Sequence, residues 1–328
     1  MPPHDRIIGK EFTLMITGKA PYISTVSLLN RPVNTAAAGA VSTPGGTEPG
    51  IDPISKTDKV HLSDPGLNLL PGDTQETDPA RAEKVQAIKQ AIEEEFAANG
   101  VNIAFTYNSN EELAKTQAAQ LEANYGIKAR AYALNILEPE TYKDLFLEID
   151  EDFDRIDFFV SNAIISGRPV AGGYTKFMKL RPRGINNIFT ATVNAFVVGA
   201  QEAAKRMEKT GGGSIISLSS TGNLVYIENY AGHGTAKAAV EAMARYAATE
   251  LGEKNIRVNV VSGGPIETDA LRAFTNYEEV RDKTAELSPL NRMGQPTDIA
   301  GACLFLCSSK AGWVTGHTFI IDGGTTFK

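Results

Sequence analysis

Short apolar segments alternate with helix-like segments along most of the chain. The helix-like segments include NEELAKTQAAQLEANYG and TAKAAVEAMARYAATELGEK. The apolar segments are rich in β-branched and aromatic residues: EFTLMITG (11–18), VNIAFTY (101–107), KARAYAL (128–134), RIDFFVSNA (155–163), GSIISLSS (213–220), IRVNVVSGG (256–264) and TFIIDGG (318–324). This alternation predicts βαβ units with right-handed crossovers. We therefore expect an α/β protein with a doubly wound parallel sheet of seven strands, which binds its ligands at the carboxyl ends of the strands.

The segment DPARAEKVQAIKQAIEEEFAANG (78–100) predicts a helix before the second strand. Asp78 is suited to cap it, Pro79 to begin it and Gly100 to end it. One apolar face is formed by Val85, Ile88, Ile92 and Phe96.

The pattern is absent from about residue 19 to residue 78. This stretch is rich in Pro, Gly, Thr, Ala and Asp and has almost no aromatic residue. It cannot bury enough apolar surface to offset the entropy of ordering it. We therefore predict one domain over residues 1–328, interrupted by a flexible insert at about 19–78.

Composition and charge narrow the class of protein. The chain of 328 residues is 42% hydrophobic and carries a net charge of −7, which argues against general nucleic-acid binding. It has neither an apolar run of membrane-spanning length nor an apolar N-terminal signal core, so a cytoplasmic protein is expected. Cys303 and Cys307, four apart on an apolar helix, are interpreted as core residues rather than as metal ligands.

The densest set of reactive side chains is in SLSSTGNLVYIENYAGHGTAKAAVEA. Tyr230 and Lys237 are seven residues apart, and a helix is predicted to begin between them, so both can face one cleft. A tyrosine has an ordinary pKa of about 10. A nearby ammonium lowers that pKa and makes the phenol a better acid. The alternative at this point is an exposed tyrosine and a solvated lysine.

These residues, with several others, resemble the short-chain dehydrogenase/reductase family. The resemblance is carried by SLSS, Tyr230 and Lys237, by SNA (161–163) and VNAF (193–196), and by RVNVVSGGPIETD and VTGHTFIIDGG. It covers residues 92–328 and 11–18, and it implies a Rossmann-like fold. Ordinary members have the tyrosine four residues before the lysine, where this chain has His233, thirteen residues after Ser220.

The spacing Tyr-x6-Lys is instead that of enoyl-acyl-carrier-protein reductases. The strings SSTGNLVYIENYAGHGTAKAA and SNAIISGRPVAGGYTKFMKLRPRGINN are similar to the NADPH-dependent FabL type. The resemblance implies hydride transfer from NADPH to a trans-2-enoyl thioester in fatty acid synthesis, by a tetramer acting on enoyl-acyl carrier protein or enoyl-CoA. A 3-oxoacyl reductase or another short-chain reductase is the alternative enzyme.

The resemblance also implies roles for single residues. Tyr230 would stabilise the enolate oxygen and Lys237 would bind the nicotinamide ribose. Asn194 would form a helix bend and relay water, Tyr226 and Ser220 would line the pocket, and His233 would be a bystander. The implied cofactor-binding residues are Gly18, Tyr107, Asn108, Ser109, Asn135, Ile136, Asn162, Ala163, Lys237, Gly264, Pro265 and Ile266. The segment after Ile266 would be a mobile lid over the substrate.

Two features bear on the cofactor. The second strand ends without an acidic residue, which favours NADPH over NADH, because an acid there would repel a 2′-phosphate. The family's phosphate-binding turn T-G-x-x-x-G-x-G is represented only by Thr17 and Gly18, and Ala87 and Lys89 stand at its later glycine positions. We therefore expect a reductase-like fold whose cofactor affinity is impaired or lost.

Two further segments suggest partners. Residues of about 19–91, with DKVHLSD and DPARAEKVQAIKQAI, resemble the flagellar anti-sigma factor FlgM, which implies a mosaic chain or a catalytically silent scaffold that binds a sigma factor. The plainer alternative is a low-complexity insertion. The segment KFMKLRPRG holds a basic cluster that either docks an acidic carrier protein or is merely solvated: Lys176, Lys179, Arg181 and Arg183.

Overall fold

The computed structural model of the chain describes residues 13–17, 87–162, 165, 171–267 and 277–327. The strands are β1 (Thr13–Thr17), β2 (Asn102–Tyr107), β3 (Ala129–Ala133), β4 (Phe158–Ser161), β5 (Gly213–Ser220), β6 (Ile256–Gly263) and β7 (Thr318–Ile321). The helices are α1 (Ala87–Ala98), α2 (Glu111–Tyr125), α3 (Tyr142–Asp152), α4 (Pro182–Phe189), α5 (Ala195–Lys209), α6 (Ala231–Leu251), α7 (Tyr277–Leu287) and α8 (Pro296–Cys307). The predicted insert at about 19–78, the helix start at Asp78 and Pro79, and all but the last residues of the FlgM-like stretch lie outside the described residues.

All strand pairings are parallel. Strands β4 to β7 form a four-stranded ladder, β2 and β3 form a pair, and β1 lies between them, which gives the order β3-β2-β1-β4-β5-β6-β7. Leu14 of β1 is in register with Ile103 of β2 on one side and with Phe158 of β4 on the other. The predicted parallel α/β architecture is confirmed. The order reverses between β1 and β4, and ligands of such sheets bind at that switch point.

Helices cover both faces of the sheet. One core packs α3, α5 and α6 against it, and the other packs α1, α2 and α8 against the opposite face. Cys303 and Cys307 are buried free thiols of the second core, as predicted. No helix in the described part of the chain is long and apolar enough to cross a membrane.

The apolar face of α1 is confirmed where the structure describes it. Ile88, Ile92 and Phe96 are buried, and the Phe96 ring meets the Phe158 ring edge-on at 6.0 Å between centroids. Gly100, two residues past the helix end, has φ +78°, a left-handed conformation that favours glycine. The predicted stop of this helix is therefore confirmed as well.

Candidate active site

Strand β5 and helix α6 position the tyrosine and the lysine. The backbone N–H of Gly222 donates to the Ser220 hydroxyl at 3.2 Å, which starts the turn after β5. Tyr230 directly precedes α6 and Lys237 lies two turns into it; only 2% and 3% of their surfaces are exposed. A Cβ atom on Gly222 would lie 2.6 Å from the Tyr230 ring, so glycine lets the phenol lie directly on this turn. The alternative of an exposed tyrosine and a solvated lysine is therefore wrong.

The Lys237 ammonium is held under the carboxyl edge of the sheet. Its Nζ donates to the Leu218 carbonyl at 2.7 Å, which uses one of its three N–H donors. Burial lowers the pKa of Lys237 to about 8, and the charge of Glu241 on the next turn of α6 opposes the shift. The site thus contains an ammonium that titrates close to physiological pH.

The Tyr230 hydroxyl is buried without a hydrogen-bond partner in the described part of the chain. Burial raises the pKa of Tyr230 to about 12, and the nearby Ser220 hydroxyl opposes the rise although it does not reach hydrogen-bonding geometry. The expected lowering of the Tyr230 pKa is therefore wrong, because desolvation is the largest influence on the phenol and Lys237 is not among the groups that shift it. Ser220, which the register pairs with His233, lies beside Tyr230 instead.

His233 and Tyr174 complete a cluster of three rings, here called the aromatic cluster (Tyr174, Tyr230 and His233). The His233 ring stacks on Tyr230 with 5.3 Å between centroids and 24° between planes. Tyr174 meets both rings edge-on, at 6.4 Å from Tyr230 and 6.0 Å from His233. Burial, and then the Lys237 charge, lower the pKa of His233 to about 3, so the imidazole is neutral.

Three glycines hold Tyr174 in this cluster. A Cβ on Gly173 would lie 2.7 Å from the backbone of Gly184, and one on Gly232 would lie 2.5 Å from the Gly173 carbonyl oxygen. The backbone before Tyr174 therefore packs directly on the first turns of α4 and α6. We call this contact the glycine junction. The sequence signals were GG before the tyrosine and a glycine at each helix start, but neither Tyr174 nor these glycines were predicted as site residues.

A π-helical bend at Thr190–Asn194 links α4 to α5. Asn194 lies in this bend, and its side chain is exposed. Thr192, which the sequence did not single out, is 4% exposed, and its hydroxyl has no partner among the described residues. Asn194 thus lies in a helix bend, as predicted, and the buried polar group of the bend is Thr192.

The residues predicted to bind the adenine end of the cofactor lie at the tips of β2 and β3. Tyr107 is half-buried, whereas Asn108 and Ser109 are exposed. The Asn135 side chain accepts from the Leu137 backbone N–H at 3.1 Å and donates to Glu138 at 2.8 Å, so both its polar atoms serve its own turn. Ile136 beside it is buried.

The ends of β4 and β6 supply the other predicted cofactor residues. Asn162 is 2% exposed, and both polar atoms of its amide lack a partner within the described ranges. Gly264 donates to the Ile321 carbonyl at 2.9 Å, and the Pro265 carbonyl accepts from Gly294 at 3.0 Å, so this loop is fixed to the end of β7. Ile266 is buried. Ala163 and most of the predicted lid after Ile266 lie outside the described residues.

At the phosphate end, Gly18 and the following turn lie outside the described residues. Lys89, at a glycine position of the family turn, is buried and forms an ion pair with buried Glu93. Its Nζ lies 3.9 Å from the centre of the Phe105 ring, and Gln117 of α2 donates to Glu93. Burial lowers the pKa of Lys89 and raises that of Glu93. This pair ties α1 to β2 and α2.

A nicotinamide cofactor fits one end of this edge. The buried, unpartnered atoms of Asn162 and Tyr230 and the Lys237 ammonium match the neutral amide and the ribose hydroxyls of a nicotinamide riboside. At the other end, the Lys89 side chain turns to Glu93 and offers no charge to a phosphate in this conformation.

Comparison with known proteins shows what the chain is similar to. Residues 82–326 match the family model described as enoyl-(acyl carrier protein) reductase. The chain is 33% identical over 231 residues to 1-cyclohexenylcarbonyl-CoA reductase of Streptomyces collinus, covering 70% of this chain and 79% of that protein. It is 33% identical over 240 residues to the NADH-dependent enoyl-[acyl-carrier-protein] reductase FabI of Rickettsia bellii (73% and 88% covered). It is 32% identical over 243 residues to the 3-oxoacyl-[acyl-carrier-protein] reductase FabG of Aquifex aeolicus (73% and 93% covered).

Solved structures of short-chain dehydrogenases and reductases are also similar to this chain. A putative short-chain alcohol dehydrogenase from Sinorhizobium meliloti superposes with a TM-score of 0.66 at 28% identity, covering 74% of this chain and 92% of that one. A structure of an ElxO variant with NADPH bound has a TM-score of 0.66 at 25% identity, with 74% and 95% covered.

Proposed function

The chain belongs to the short-chain dehydrogenase/reductase family, and on that premise we propose that it reduces the carbon–carbon double bond of a trans-2-enoyl thioester. The observation that carries the proposal is the placement of Tyr230 before α6, seven residues from Lys237, with His233 in the slot that ordinary members give to the tyrosine. The description of the matching family model supports the same reaction, as do two of the similar reductases.

When bound, a nicotinamide cofactor would supply the hydride for the β carbon. Negative charge then develops on the thioester carbonyl oxygen, and the buried, unpartnered Tyr230 hydroxyl is available to donate to it. A phenol with a pKa of about 12 stays protonated at neutral pH and can act as this donor. Among the described residues, Lys237 has two N–H donors beyond its bond to Leu218, and these would hold the ribose hydroxyls of the cofactor.

We propose NADPH as the preferred cofactor. The two residues directly after β2, Asn108 and Ser109, are exposed and neither is acidic, so no carboxylate at these positions repels a 2′-phosphate. One similar structure holds NADPH, while one similar reductase is named for NADH. Because Lys89 is engaged by Glu93, we expect weakened affinity at the phosphates. A titration of NADPH fluorescence tests this: micromolar binding contradicts the weakened affinity, and tighter binding of NADH contradicts the preference.

An acidic acyl carrier protein is the proposed carrier of the substrate. Phe177 and Met178 are 77% and 91% exposed on a short 3-10 helix, and the exposed cations Lys176, Lys179, Arg181 and Arg183 surround them. We call these six residues the carrier patch. A cationic rim on a chain of net charge −7 favours an acidic partner. Exchanging Lys179 and Arg183 for Glu should lower kcat/KM for crotonyl-acyl carrier protein but not for a small crotonyl thioester. Equal effects on both substrates would favour enoyl-CoA, the alternative carrier.

Self-association into a tetramer completes the proposal. Met243 and Tyr246 on α6 are 44% and 70% exposed, so this helix has apolar surface for a second copy. Size-exclusion chromatography with light scattering tests the state. A monomer at micromolar concentration would contradict it.

Reduction of a 3-oxoacyl thioester is the second candidate. It is favoured by the similarity to FabG, which covers 93% of that protein. Rates with crotonyl and acetoacetyl thioesters, followed at the NADPH absorbance, separate the two reactions. Turnover of the acetoacetyl substrate alone would replace the first proposal. If neither thioester is turned over and the full chain captures a sigma factor, the silent scaffold would be supported.

A further inference from the structure

His233 is the buried histidine of the candidate site. It lies in the first turn of α6, one turn before Lys237, and 4% of its surface is exposed. Its ring is stacked on the proposed catalytic phenol of Tyr230 and meets Tyr174 edge-on. Any change at His233 therefore acts directly beside the reacting atoms.

Two polar atoms of the aromatic cluster lack a partner within the described ranges. They are the Tyr230 hydroxyl oxygen and His233 Nδ1. A buried polar group without a hydrogen bond is unfavourable, and in an enzyme site it indicates that a ligand completes the contact. The proposed function already gives the Tyr230 hydroxyl a partner, the thioester oxygen.

The charge state of His233 limits what its Nδ1 can bind. Lys237 is the charged group that acts on it, and Tyr230, with a pKa of about 12, is a neutral phenol beside it. Burial and the Lys237 ammonium keep the imidazole neutral, so one ring nitrogen donates and the other accepts. A neutral donor suits a carbonyl oxygen that gains charge during the reaction.

The two unpartnered atoms belong to rings in direct contact. The His233 ring is stacked on the Tyr230 ring, with 5.3 Å between centroids and 24° between planes. A ligand oxygen that accepts from the Tyr230 hydroxyl would therefore lie beside the stacked His233 ring.

We propose that His233 is the second donor of the oxyanion site, with Nδ1–H and the Tyr230 hydroxyl both hydrogen-bonded to the thioester carbonyl oxygen. The inference rests on the proposed function, since it names a further residue for the same reaction. As hydride adds to the β carbon and the double bond becomes an enolate, the new charge on that oxygen is shared by the two donors. A proton from solvent then adds to the α carbon, which restores the carbonyl group and leaves both donors protonated.

Kinetics of matched variants test the proposal. His233→Phe keeps an aromatic ring for the stack and removes the donor, so kcat for a crotonyl thioester should fall about 10²-fold to 10³-fold with little change in KM. His233→Asn places an amide N–H near the position of Nδ1 and should restore at least a tenth of the lost rate. A kcat of His233→Phe within twofold of the parent overturns the proposal, and so does His233→Asn no better than His233→Phe. Thermal unfolding confirms that each variant is folded.

A second readout does not depend on turnover. The chain has four histidines, so nitrogen-15 NMR of the imidazoles gives few signals, and the one lost in His233→Phe belongs to His233. Crotonyl-N-acetylcysteamine with NADP+, which cannot react, should shift the Nδ1 resonance of His233. Turnover by the parent without this shift overturns the inference and leaves the proposed function intact. If the parent shows neither turnover nor this shift, the inference and the proposed function are both overturned.

Discussion

His233 should make the protein lose stability as the pH falls from neutral to acidic values. Its pKa is about 3 in the folded protein, against about 6.5 in an unfolded chain. Between these pH values His233 is protonated in the unfolded state but not in the folded state. The contribution of His233 to the free energy of unfolding is therefore fully present above pH 6.5 and is lost as the pH falls towards 3. Each pKa unit corresponds to about 1.36 kcal/mol. From pH 7.0 to pH 4.5, the loss assigned to His233 is about 2.5 kcal/mol.

The assay compares the parent with His233→Phe by urea unfolding at both pH values. The phenyl ring keeps the stack on Tyr230 but cannot be protonated, and the carboxylates titrate alike in both proteins. The free energy of unfolding of the parent, minus that of the variant, should fall by about 2.5 kcal/mol at the lower pH. His317→Phe, at an exposed position, controls for loss of a histidine as such. A difference that changes by less than about 0.5 kcal/mol would refute the assigned burial and neutrality of His233.

Three further changes test other parts of the molecule. Lys237→Met removes a lysine whose pKa is about 8 in the folded protein and 10.5 ordinarily. The free energy of unfolding of the parent, relative to that of this variant, should therefore rise by about 1.5 kcal/mol from pH 8 to pH 9.5. If urea unfolding shows the same difference at both pH values, the burial of Lys237 is contradicted. Lys89→Met leaves buried Glu93 unpaired and should cost about 3–5 kcal/mol, most of it regained when Glu93 is also replaced by Met. If the double variant is no more stable than the single one, the two side chains are not coupled. Gly173→Ala places a Cβ 2.7 Å from the backbone of α4, so it should lower the free energy of unfolding by about 1–3 kcal/mol and should also lower kcat. The control Gly301→Ala has open space around its Cβ and should not destabilise the protein. Equal melting temperatures for the two variants would contradict the glycine junction.

Local sequence patterns predicted the parallel α/β architecture and the proximity of Tyr230 and Lys237. Short apolar runs alternating with helix-forming segments predicted the βαβ order, and Ile88, Ile92 and Phe96 lie on the buried face of α1 as expected. The spacing of Tyr230 and Lys237 predicted that one helix would carry both to a common cleft. Such features depend on residues close together in the chain.

Features that depend on distant residues were missed. Tyr174 reaches the aromatic cluster because glycines from three separate segments meet, and no local pattern records that contact. Lys89 was placed at a glycine position of the phosphate-binding turn, and its burial against Glu93 and Phe105 was not predicted. His233 was interpreted as a bystander, and its stacking on Tyr230 depends on the packed structure rather than on any local pattern. The pKa of Tyr230 was misjudged because desolvation is a property of the packed structure.

The most direct test of the proposed reaction is the rate of NADPH oxidation with a crotonyl thioester by the parent and by Tyr230→Phe. The variant loses one buried hydroxyl and should keep the fold, because no described residue hydrogen-bonds that hydroxyl. We predict measurable turnover by the parent and a loss of at least about 10²-fold in kcat for the variant. Equal rates for the two proteins, or no turnover by a parent that binds NADPH, would contradict an enoyl reductase centred on Tyr230.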